Sequence, residues 1–165
     1  MAAERATFAD LDRLPLTRRA IEESLRLYPP AWGFSRQALS DDEIGGYRIP
    51  GGALVFLIPF VVHRRPTLWP DPERFDPERF APERVAARPR FAYFPFGGGP
   101  RVCIGNQFAM MEAQLVVATI AQRYRIEVGP NQDIRPEPLI TLRPALGIRA
   151  TLERRAPPPF CAAMS

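Results

Sequence analysis

Residues 96–105 read Phe96-Gly97-Gly98-Gly99-Pro100-Arg101-Val102-Cys103-Ile104-Gly105, and a broadly apolar segment, Asn106 to Tyr124, follows them. That segment is predicted to be a buried helix, because Phe108, Met111, Ala113, Leu115, Val116, Ala118 and Ile120 leave it no polar face. Cys103 therefore sits just before a helix N-terminus, where free amides and the helix dipole favour a thiolate. Gly105 and the first-turn amides can approach the sulfur and donate hydrogen bonds that tune a metal-bound thiolate. Three successive glycines let the backbone lie flat against a large planar ligand. Arg101 can reach a carboxylate on such a ligand's edge, and Phe96 can shield the sulfur from water.

Other readings of the loop compete with this one. A lone cysteine usually behaves as a small core hydrophobe. A zinc or iron–sulfur centre needs more ligands than the sequence offers, since the only others of that kind are Cys161 and the single histidine, His63. A phosphate-binding P-loop needs a lysine followed by Ser or Thr, and the chain contains no lysine.

Outward from the loop, residues 64–95 form a long Pro/Arg/Phe-rich stretch without periodicity. In a compact domain such a stretch is functional or packed on a partner element. Residues 16–28 read as a helix with two apolar stripes, stopped by Pro29-Pro30. Residues 33–39 and 53–58 read as strands, with turn signals at Gly45-Gly46 and Pro50-Gly51-Gly52 between them. Residues 125–128 and 147–153 also read as strands, with 139–142 extended. Residues 154–165, which include three consecutive prolines, are expected to form a disordered tail.

The 165 residues carry 20 prolines and a net charge of +4. The basic charge is all arginine and many of the arginines lie beside acids, as in Pro72-Glu73-Arg74 and Pro77-Glu78-Arg79, so a nucleic-acid stripe is not expected. Two cysteines are too few for a disulfide scaffold. No secretory signal is evident, and the longest apolar stretch, residues 51–62, is shorter than the roughly 18 residues of a membrane span. The chain reads as soluble and cytoplasmic.

The pattern Phe-x-x-Gly-x-Arg-x-Cys-x-Gly, filled by Phe96, Gly99, Arg101, Cys103 and Gly105, resembles the haem-binding signature of the cytochrome P450 family. Glu23-Ser24-Leu25-Arg26 resembles the same family's Glu-x-x-Arg helix motif. The Pro-Glu-Arg-Phe segment that completes the family's charge trio occurs twice here, at residues 72–75 and 77–80. The second copy has the family's position, which assigns Arg79 to the trio with Arg74 as the fallback.

The resemblance implies a mainly α fold with small β elements (α+β): the C-terminal part of the family fold, over residues 1–153, truncated before the distal helix. It implies haem b as cofactor and Cys103 as its axial ligand. Arg36 matches the position of a residue that pairs with a haem propionate. Glu23, Arg26 and Arg79 form a structural charge network, and His63 is structural. Residues 31–35 with Leu139 and Ile140 line a pocket for a small lipophilic substrate. The parent is a monooxygenase fed electrons by a ferredoxin or a flavoprotein. No Ala-Gly-x-x-Thr element occurs in the 165 residues, so the oxygen-activating half of the site lies outside them and the chain alone is expected to be inactive. The competing implications are a non-catalytic haem-binding remnant, or a haem-thiolate peroxygenase or isomerase.

Overall fold

Pro15 opens the first helix, α1 (Pro15–Leu27), at a position where its missing N–H costs nothing and its fixed φ suits the helix. The helix ends where the Tyr28 N–H closes on the Ser24 carbonyl at 2.7 Å and Pro29-Pro30 prevents continuation. The computed structural model describes residues 6–155. Of the segment expected to be a tail, Arg154 instead ends a strand; residues 156–165, with Cys161, lie outside the described residues.

Four two-stranded antiparallel sheets surround the helices. β1 (Phe34–Gln37) pairs with β4 (Leu54–Leu57), placing Phe34 opposite Leu57. Between them, β2 (Asp42–Ile44) and β3 (Tyr47–Ile49) form a hairpin whose two-residue turn is Gly45-Gly46. Both glycines have positive φ, +60° and +84°, the conformation that a tight hairpin demands. β5 (Tyr124–Val128) pairs with β8 (Ala150–Arg154), and β6 (Pro136–Pro138) with β7 (Leu142–Pro144). Two short helices, α2 (Pro59–Val62) and α3 (Pro82–Ala86), and the long α4 (Asn106–Arg123) complete the order.

The core lies under the proline-rich stretch. Trp69, Phe80, Ala81 and Ala92 are buried there with Ile21 and Leu27 of α1. The Trp69 indole donates to the Ala92 carbonyl at 3.3 Å, fixing the two ends of the stretch on each other. The 3₁₀ turn at Pro77–Phe80 packs on α1. So residues 64–95, largely irregular as expected, pack on a partner element, α1, and share a core with it.

One expectation fails. α4 is not buried: only Gln114 and Ala118 are, while Phe108 is 64% exposed, Val116 50% and Val117 41%. Its neighbours are chiefly α1 and the 3₁₀ turn at Phe8–Arg13. A helix apolar all round needs cover all round, and these elements reach one side of it.

Candidate functional site

The cysteine loop is held by backbone hydrogen bonds. The Cys103 N–H donates to the Phe96 carbonyl at 2.9 Å, Gly97 N–H to Phe94 at 3.0 Å, and Val102 N–H to Gly99 at 3.1 Å. Two glycines are required by backbone geometry, Gly97 at φ +75° and Gly99 at φ +65°. A Cβ on Gly98 would meet the Phe91 ring at 2.6 Å and displace that exposed side chain. Gly105 differs: its φ is negative, and a Cβ there would lie an ordinary 4.0 Å from the Cys103 sulfur. Phe96 contributes its carbonyl to the loop, while the Cys103 thiol is free and exposed.

Arg36 reaches this region through Phe34. Its guanidinium lies over the Phe34 ring, 5.0 Å from the centroid, and that ring sits beside Gly97 and edge-on to Phe94. Arg36 and Arg101 are both exposed. Trp32 donates from its indole to the Leu139 carbonyl at 2.8 Å, and Leu142 N–H donates to Pro30 at 2.9 Å. These two bonds hold Pro30 and Trp32 against the segment from Leu139 to Leu142.

Glu23, Arg26 and Arg79 also meet. Arg26 is bidentate on Glu23, at 2.7 and 2.8 Å, and both side chains are fully buried. Arg79 Nε lies 3.4 Å from Glu23 Oε1. Arg74 supplies only its carbonyl, which accepts from Arg26 Nη2 at 3.3 Å. The Asp76 N–H donates to Glu23 at 2.9 Å, a role invisible in the sequence because it is a main-chain one.

His63 joins this cluster to the cysteine loop. Its carbonyl accepts from Arg26 Nη1 at 2.8 Å, and its Nε2 accepts from the Phe94 N–H at 2.9 Å. An accepting Nε2 puts the ring proton on Nδ1. Burial lowers the imidazole pKa to about 4, and the nearby Arg26, Arg64 and Arg88 charges act in the same direction. His63 is thus a neutral acceptor that fixes the residue two before Phe96. The sequence marks His63 as structural; only the fold shows which backbone it holds.

Among the described residues no three of His, Cys, Asp and Glu cluster as a metal cage. The site offers one open thiol, free space over Gly99 and exposed guanidiniums at Arg36 and Arg101. That donor set fits a group that brings its own equatorial ligands and carries edge carboxylates, and it fits no bare metal ion.

A haem group has that form, and comparison with known proteins agrees. The family model "Cytochrome P450" matches residues 2–150. Cyclooctatin synthase of Streptomyces melanosporofaciens is 47% identical over 82% of this chain and 29% of its own length. Pentalenene oxygenase of Streptomyces avermitilis is 43% identical over 90% of this chain and 33% of its own. Human cytochrome P450 4V2 is 40% identical over 91% and 29%. The solved structure of retinoic-acid-bound cyanobacterial CYP120A1 superposes with a TM-score of 0.88 at 34% identity, covering 94% of this chain and 36% of that one. This chain belongs to the cytochrome P450 family. It spans about a third of the length of the relatives it matches. Its helices and small antiparallel sheets are part of that family's α+β fold. No helix among the described residues is long and apolar enough to cross a membrane.

Proposed function

We propose that this chain is the haem-ligating part of a haem-thiolate monooxygenase that inserts one atom of dioxygen into a small lipophilic organic molecule. The observation that carries the reading is the exposed Cys103 thiol at the end of a hydrogen-bonded glycine loop, two residues before the N-cap of α4. When haem b is bound, its thiolate-ligated iron supplies the redox chemistry, with electron density pushed from sulfur to favour O–O cleavage.

The chain's own residues hold and tune that group. Cys103 binds as thiolate, favoured by the N-terminal end of α4. Gly99 keeps the loop open, and Gly105 leads its first-turn amides past the sulfur. Arg36 and Arg101 pair with the two propionates. Phe96 pins the Cys103 amide and, with Phe34, limits water at the proximal side. The Glu23–Arg26–His63 chain of hydrogen bonds holds Phe94, and so the loop, in place. Exposed apolar side chains at Leu139 and Ile140 favour a lipophilic substrate.

Electrons would come from a ferredoxin or flavoprotein steered by the arginine-rich surface, and the protein would work in the cytoplasm. Loaded with haem and reduced under carbon monoxide, the chain is expected to show the red-shifted Soret band of a thiolate-ligated carbonyl complex. Persistence of that band in Cys103→Ala would overturn the ligand assignment, and its absence from the wild-type chain would overturn autonomous haem binding.

A further inference from the structure

Away from the cysteine loop, a cavity of about 450 Å³ opens between Trp69, the Pro77–Phe80 turn and α3. Four guanidiniums line it, those of Arg74, Arg79, Arg84 and Arg88, against two carboxylates, Asp71 and Asp76. Arg84 lies 3.6 Å from Asp76. Arg79 is more than nine-tenths buried; its Nη2 donates to the Asp71 carbonyl at 2.9 Å, and its Nε faces the Glu23 carboxylate at 3.4 Å. Arg74 and Arg88 form no ion pair with a carboxylate among the described residues. Arg88 is instead stacked over Trp69 and Phe80, 4.2 and 4.8 Å from their centroids, which fixes its fork in place.

We infer that this cavity binds the phosphate group of a small, soluble phosphate monoester. Arg74 and Arg88 have no ion-pair partner; with Glu23 on Arg79, Asp76 on Arg84 and the Asp71 carboxylate also at the cavity, a surplus of one positive charge remains, which suits the anion of a phosphate monoester. Guanidinium forks fixed by stacking and burial suit a tetrahedral oxyanion with several acceptor oxygens. Leu68, Ala87 and Pro89 give the cavity an apolar wall, and its volume falls in the range of organic-ligand sites rather than that of a bare ion. Burial also lowers the Arg88 pKa, a desolvation that a bound anion would offset.

The test is a calorimetric titration of the full 165-residue chain with phenyl phosphate and with inorganic phosphate at constant ionic strength. Saturable one-to-one binding is expected, tighter for phenyl phosphate. Arg74→Gln and Arg88→Gln should each weaken it by about tenfold or more, the worth of one charge-assisted hydrogen bond. The Arg74 side chain is exposed and outside the Glu23 cluster, so its variant should keep the wild-type far-UV dichroism whatever Arg88→Gln does to folding. Arg143→Gln, on the distant β6–β7 hairpin, should change nothing. Unsaturable binding, equal affinity for the two phosphates, or an equal loss in Arg143→Gln and Arg74→Gln would each overturn the inference.

Discussion

Arg26 grips Glu23 by two parallel hydrogen bonds, Nε to Oε2 at 2.7 Å and Nη2 to Oε1 at 2.8 Å, and neither side chain touches solvent. The remaining Arg26 nitrogen donates to the His63 carbonyl. Removing Glu23 would leave a buried guanidinium without its counter-ion, which costs about 3–5 kcal/mol. Glu23→Ala is therefore expected to lower the urea midpoint severely or to prevent folding. Arg26→Lys should be nearly as damaging, because an ammonium cannot reproduce the bidentate fork while also reaching His63. Arg74→Gln should stay within about 0.5 kcal/mol of wild type, since only the Arg74 carbonyl serves the cluster. A large effect at Arg74 and none at Arg79 would reverse their assigned roles.

His63 gives the chain a pH signature. Its pKa in the folded state is about 4, against 6.5 for an unperturbed imidazole. Above pH 6.5 both states are neutral there and the site contributes no slope. As pH falls below 6.5 the unfolded chain takes up the proton first, so stability declines until pH reaches about 4, by up to about 3 kcal/mol. His63 is the only histidine, and carboxylates titrate mostly lower, so the slope between about pH 6.5 and 5 belongs to it. His63→Gln should flatten that part of a stability-versus-pH curve from urea titrations; an unchanged slope would place its origin elsewhere.

The sequence carries the site better than it carries the packing. Cys103, Gly99 and the Glu23–Arg26 pair stand out in the sequence because they fill motifs that resemble those of a known family; without that resemblance a lone cysteine and an i,i+3 ion pair are commonplace. The choice of Arg79 over Arg74 likewise rests on which copy of Pro-Glu-Arg-Phe has the family's position. The strands of the Asp42–Ile49 hairpin are not legible: each has three residues, nearly all exposed, so no alternation marks them, and only the Gly45-Gly46 turn shows. The roles of the Asp76 amide and the His63 carbonyl are hidden because backbone groups belong to every residue type alike. The burial expected of α4 misleads for another reason: periodicity reports which faces want cover, not whether the neighbouring elements supply it.

Arg36 and Arg101 should act on haem retention rather than on folding. Both guanidiniums are exposed, and Arg36 approaches the loop only through the Phe34 ring. Arg36→Ala and Arg101→Ala should keep the wild-type urea midpoint within about 0.5 kcal/mol. Each should speed haem transfer to an excess of apomyoglobin by about tenfold, the low end for a charge-assisted hydrogen bond in contact with water. Equal transfer rates in wild type and both variants would remove the propionates as their partners.

α4 predicts how the chain behaves in solution. Phe108, Val116, Val117 and Ile120 are exposed along it, and Ile104 is fully exposed just before it. Together they leave large apolar side chains open to solvent along the helix. The chain should therefore bind the dye ANS without denaturant and associate as its concentration rises. Val116→Glu should reduce both, because residue 116 is half exposed and little packing is lost with it. Gln114→Leu should not, since Gln114 is buried and its side-chain amide is spent on the Met110 carbonyl at 3.1 Å. If Val116→Glu instead lowers the urea midpoint by more than about 2 kcal/mol, well beyond an ordinary surface substitution, the outer face of α4 is packed and the dye site lies elsewhere.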